Sequence, residues 1–193
     1  MKKAAKVIRI LTLAPVMACA ALITLFFVRP EVYGRTASFV CALVFLTVLP
    51  LLAYPLQPVT PGYRDRGREG QRNLAMIFAV SSYILGCIVN LFLHAPQAMW
   101  VIYLEYLLSG ALIMLFNKCF HRKASAHACG VAGPCALLLY FHIDALIPGI
   151  LALILTWWAS LKLKRHTASQ LAGGTVIPLA VMCLLALLFR TGT

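Results

Sequence analysis

Two of the chain's five histidines stand behind a cluster of cations and just ahead of an apolar run. In "NKCFHRKASAHACGVAG", residues 117–133, Lys118, His121, Arg122 and Lys123 precede Ser125, Ala126 and His127. In "SLKLKRHTASQLAGG", residues 160–174, Lys162, Lys164 and Arg165 precede His166, and Gln170 follows four positions on. A helix beginning in such a stretch presents unpaired N–H groups and the positive end of its dipole, where anions bind readily. Small residues at 124, 126 and 128 let an oxyanion approach the backbone, and Ser125 can donate a hydrogen bond. An imidazole can donate a proton near neutral pH, or attack an electrophile through a free lone pair. Residues four apart share a helix face, so Gln170 can hold one nitrogen of His166 and leave the other free. Together these residues fit a site for a phosphate. Each stretch alone also fits a plainer role: a capping serine beside an interfacial histidine, or a basic anchor at a membrane edge. Their pairing favours the chemistry.

A third basic stretch, "PGYRDRGREGQRN" at 61–73, alternates Arg64, Arg66, Arg68 and Arg72 with Asp65 and Glu69. The arginine fork suits bidentate phosphate binding. A solvated loop with internal ion pairs explains the pattern equally well. Glu105, in "VIYLEYLLSG", falls inside an apolar run, where acids are costly and often functional. It can pair with a base near the site or support helix packing. His142 and Asp144 fall at the far edge of their run, and Trp157 and Trp158 suit an interfacial belt.

The elements that carry these stretches follow from composition. The 193 residues are 62% hydrophobic and only 11% charged, far below the quarter usual in soluble domains. No soluble domain, internal repeat or low-complexity segment stands out, so the chain reads as a single membrane domain over 1–193. Seven apolar windows approach bilayer length: about 9–28, 37–56, 74–94, 98–116, 126–142, 146–161 and 169–189. The expected fold is all-α, a bundle of about seven transmembrane helices. The first window resembles a signal peptide, but "VRPEVYGR" offers no small-residue cleavage site, so it is kept as a helix. Seven cysteines without a CxxC pair read as small buried hydrophobes, with no disulfide or zinc framework.

Seven crossings put all but three of the 17 basic residues on the N-terminal side; Arg29, Arg35 and Arg190 lie opposite. The positive-inside rule makes that side cytoplasmic. The four cations Lys2, Lys3, Lys6 and Arg9 are the clearest topological signal, because they belong to no motif. A net charge of +12 on so apolar a chain points to lipid head groups or phosphate, with no nucleic-acid partner expected.

The two histidine stretches resemble the motifs of the type-2 phosphatidic acid phosphatase superfamily of integral membrane lipid phosphatases. That family has a Lys/Arg-rich first motif, a Pro-Ser-Gly-His second motif, and a third motif of Ser-Arg, five residues, His, three residues, Asp. Here the second reads Ala124-Ser125-Ala126-His127, and the third Ala159-Ser160, five residues, His166, three residues, Gln170. The closest pattern is that of a divergent bacterial branch with Lys-x-Ser-Ala-His and Leu-Lys-x-His-Thr-x-x-Gln; Lys123, Leu163, Lys164, His166, Thr167 and Gln170 match it. The resemblance covers roughly 98–189 and implies the family's six-helix core in a bacterial cytoplasmic membrane. The site's face is left open, because many relatives face outward. It further implies that His166 attacks phosphorus, that His127 protonates the leaving alkoxide, and that Lys123, Ser125, the Ala126 N–H and Lys164 stabilise phosphate charge. Lys118, Arg122 and Lys162 are further candidates for the phosphate. No metal or other cofactor is expected, since no carboxylates cluster. Three departures stand out: Gln170 replaces the family's Asp, Ser160 replaces a phosphate-binding Arg, and the first motif is missing. They leave three readings: a lipid-phosphate phosphatase, a lipid phosphotransferase, or a non-catalytic binder of anionic lipids.

Overall fold

Uncharged runs of Leu, Ala, Ile and Val satisfy every backbone group within one segment when they coil into helices. The computed structural model describes residues 1–118 and 123–189, and no β-strand occurs among them. The α-helices are α1 (Lys2–Leu11), α2 (Ala14–Val28), α3 (Thr36–Leu43), α4 (Leu49–Leu56), α5 (Gly67–Phe92), α6 (Gln97–Lys118), α7 (Ala126–Tyr140), α8 (Leu146–Lys162) and α9 (Ala168–Leu188). A π-turn, Val44–Val48, joins α3 to α4. Pro50 follows it and has no N–H to offer the Leu46 carbonyl, which favours the wider turn.

Length and apolarity qualify four stretches as membrane spans: Thr36–Val59, Arg64–Phe92, Gln97–Lys118 and Ala168–Leu188. The α1–α2 pair makes a fifth if it counts as one. The expected seven are not reached by this measure, because α7 has 15 residues and α8 has 17. At 1.5 Å per residue these rise only about 23 and 26 Å, against a hydrocarbon core of about 30 Å. Both stop early for local reasons: Ser125 caps the start of α7, and the chain reverses after Lys162. Ile147, Leu151, Ile154 and Leu155 form an exposed apolar flank on α8, as a lipid-facing surface requires. The helices are compatible with a multi-pass membrane protein.

The expected first helix, 9–28, is broken. Pro15 cannot donate to the Leu11 carbonyl and its ring crowds that turn. The helix therefore ends at Leu11, restarts at Ala14 and bends by 51°. The bend lays α1 against α8. The cysteines also differ from expectation. All six described ones are free, but only Cys129 is buried, and Cys183 is exposed.

Helix ends meet at two poles. At one, the Arg29 guanidinium donates to the Phe141 carbonyl (3.0 Å) and the Tyr140 hydroxyl donates to the Phe189 carbonyl (2.7 Å). At the other, α7 and α9 begin side by side. Gly174 makes that approach possible, since a Cβ there would collide with the backbone of Ser125. A Cβ on neighbouring Gly173 would meet only Ala124 Cβ, at an ordinary 3.8 Å. Gly174→Ala is therefore expected to destabilise the protein by about 1–3 kcal/mol through overpacking, while Gly173→Ala is neutral or slightly stabilising. Unfolding midpoints of the two variants in detergent check this, and equal midpoints would refute the close approach.

Candidate active site

The two helix starts are built from side-chain caps and tied to each other by backbone. Ser125 Oγ accepts the Ala128 N–H (3.3 Å), while the Ser125 N–H donates to the Gln170 carbonyl (2.8 Å). Thr167 and Gln170 form a reciprocal capping box at the start of α9. Gln170 Oε1 accepts the Thr167 N–H (3.4 Å) and also faces His166 Nδ1 at 3.1 Å. An amide oxygen can only accept, so Nδ1 of His166 carries the proton and Nε2 keeps its lone pair. Just upstream, Lys164 takes a left-handed backbone conformation (φ 51°) that reverses the chain between α8 and α9.

Two residues that sequence reasoning assigned to an anchor and a span complete the cluster. Thr12, 8% exposed, donates its one hydroxyl hydrogen to the Ile8 carbonyl (2.8 Å). The same oxygen lies 3.0 Å from His127 Nε2 and can only accept there. His127 Nε2 therefore carries a proton. The Arg9 guanidinium donates through Nη1 to Ser160 Oγ (2.6 Å), and Ser160 is fully buried. Arg9 is half-buried, whereas Lys2, Lys3 and Lys6 are exposed. Arg9 is thus no simple orientation signal. The available clue was Pro15, whose helix break turns Arg9 and Thr12 toward α7 and α8.

Of the predicted site residues, the structure brings together His127, His166, Gln170, Ser125 and Ala126. Ser125 is buried and acts as a cap; Ala126 is exposed in the first turn of α7, where helical N–H groups lack an intrahelical acceptor. Lys118, Lys123, Lys162 and Lys164 are exposed, and no hydrogen bond joins them to either imidazole. Arg122 and His121 lie outside the described residues. Asn117 closes the end of α6 onto Ala124, accepting its N–H at 2.7 Å. Arg64, Arg66, Arg68 and Arg72 are all exposed, and Arg64 pairs with Asp65 at 3.2 Å. Arg72 lies close enough to act on His166, and Arg68 on Arg9. Glu105 does not pair with a base among the described residues. It is 1% exposed, accepts from Ser109 Oγ (3.1 Å) and faces Gly133 of α7. Asp144 accepts the Leu146 N–H (3.2 Å) at the opposite pole, next to His142. Trp157 is part-buried and donates to Thr175 Oγ1 (3.3 Å).

Compared with protein-family models, curated proteins and solved structures, the chain matches none.

Electrostatics keep the free nitrogen of His166 available. Partial burial pushes its pKa below the ordinary 6.5, and the charges of Arg9 and Arg72 push the same way, against the opposing bond to Gln170. Protonation would place a third positive charge beside two guanidinium groups. Removing one of them relieves that repulsion and must raise the pKa. Histidine-resolved NMR titration in micelles is expected to give His166 a midpoint below 6.5, moved upward in Arg72→Gln. A downward move, or none, would contradict this account.

Proposed function

We propose that the protein is a membrane lipid-phosphate phosphatase that works through a phosphohistidine. The observation that carries this reading is the opposite protonation of two neighbouring imidazoles. His166 offers a bare Nε2, as a nucleophile requires; His127 offers an Nε2–H, as a leaving-group acid requires. Thr12 Oγ1 occupies the acceptor position that a leaving oxygen would take over. The resemblance of the two motifs to lipid phosphatases points the same way.

The proposed reaction balances as follows. The negative charge of a bound phosphate monoester favours the doubly protonated form of His127. The Nε2 lone pair of His166 attacks phosphorus, and the P–O bond to the lipid breaks. Its electron pair goes to the lipid oxygen, which takes the Nε2 proton of His127. Water then attacks the phosphohistidine, and the P–N bond breaks with its pair returning to His166. His127 takes the proton that water loses, and inorganic phosphate leaves. The first-turn N–H groups of α7 and the nearby cations stabilise charge on the phosphoryl oxygens. Gln170 holds His166 in place without contributing a charge.

We also read α7 and α8 as short crossings, which gives seven in all. Their ends join the same two poles as those of the longer helices. The site then lies at the pole that holds the N-terminus, and Lys2, Lys3 and Lys6 favour the cytoplasmic face for it.

Phosphate release from a panel of prenyl, glycero- and sphingolipid phosphates in detergent tests the proposal. Wild type is expected to release phosphate, with losses of about 10²–10⁴-fold in His127→Ala and complete loss in His166→Ala. An acid-labile phosphoenzyme should form in wild type and be absent from His166→Ala. A folded wild type that releases no phosphate from any of these lipids would sink the phosphatase. A phosphorylated lipid acceptor formed in its place would make it a phosphotransferase.

A further inference from the structure

We propose that Arg9, delivered by the N-terminal helix, is the guanidinium that binds the phosphoryl oxygens at this site. The proposal rests on the reading that this cluster takes a phosphate, and it names a ligand residue that neither motif contains.

Arg9 carries a charge that no described carboxylate offsets. Arg9 is the one cation of α1 that is drawn inward, while its three lysine neighbours stay in solvent. Its partner is a neutral hydroxyl, Ser160 Oγ at 2.6 Å. Among the described residues the only ion pairs are Arg29–Glu31 and Arg64–Asp65, so no carboxylate compensates Arg9. A partly desolvated guanidinium without a counter-ion is costly unless an anion arrives. One Nη1 contact leaves most of the five donors of the fork for that anion.

Position then selects the anion. Three residues beyond Arg9 on the same chain, Thr12 accepts from His127 Nε2. On the other side, Ser160 belongs to the stretch that reverses into His166, through the bond from Arg165 N–H to the Ser160 carbonyl (2.9 Å). Arg9 is near enough to both imidazoles to act on them electrostatically. A group bound by Arg9 would therefore lie between the nucleophile and the acid, beside the first-turn N–H groups of α7. A tetrahedral phosphate suits a planar fork flanked by backbone donors.

The probes are inorganic phosphate and dioctanoyl phosphatidate, with binding to detergent-purified protein read by isothermal calorimetry. This needs no turnover. Arg9→Gln is expected to weaken both probes by at least about tenfold, as loss of a charge-assisted pair implies. Arg9→Lys keeps the charge and guards against misfolding; it should still lose several-fold for want of the fork. The exposed Lys6→Gln should bind as wild type does. If Arg9→Gln and wild type bind alike, Arg9 is not the ligand, and phosphate release by wild type would leave the phosphatase standing. A loss confined to the phosphatidate would put Arg9 on the lipid's glycerol portion and overturn the assignment. If wild type binds neither probe, both this inference and the phosphate reading fail.

Discussion

One backbone hydrogen bond, from the Ser125 N–H to the Gln170 carbonyl at 2.8 Å, holds the site together. It crosses between two helix starts that are 45 positions apart in sequence. His127 lies two residues from its donor and His166 four from its acceptor, so the bond places both imidazoles at one pole. It needs the bare backbone of Gly174, because any side chain there would collide with Ser125. Both ends are also capped locally, Ser125 serving α7 and the Thr167–Gln170 box serving α9. Several polar groups of the two helix termini are thereby satisfied in a chain that offers them few other partners.

The N-terminal contribution has a different origin. Pro15 ends the first helix four residues earlier, at Leu11, and the 51° bend lays the basic segment over the start of the site. A straight helix would carry Arg9 away from Ser160. Because of the break, Thr12 can spend its hydroxyl hydrogen on its own helix and still accept from His127. The tautomer of the second imidazole is therefore set by a residue more than a hundred positions away.

The helical class, the pairing of the two histidine stretches and the His166–Gln170 contact were all legible in the sequence. Composition fixes the first. The second is read from two similar stretches and is brought about by the Ser125–Gln170 bond. The third is local, although His166 precedes α9 and meets Gln170 beside the capping box, not on the helix face. The parts that were not legible depend on distance in the fold. Nothing in the spacing of Arg9 and Thr12 separates them from the lysines beside them. Exposure does, and exposure follows from where α1 packs. The lysines Lys118, Lys123, Lys162 and Lys164 adjoin the histidines in sequence, and all four are exposed. The windows read for α7 and α8, 126–142 and 146–161, are already short, and the helices match them within two residues, below the length of a full span.

Gln170 ties these observations to the chemistry. As the third residue of its helix it completes a capping box, a position that favours Glu or Gln for reach. The same oxygen accepts the hydrogen bond from His166 Nδ1–H. A carboxylate here would also stabilise an imidazolium and so mask the lone pair on Nε2. The amide orients the ring without adding charge, and Arg9 and Arg72 discourage its protonation further. The cluster thus contains two imidazoles, a guanidinium and the positive end of a helix, with no described carboxylate hydrogen-bonded to any of them. Such a cluster suits a compact anion with several oxygens, which is why a phosphate is the ligand proposed for it.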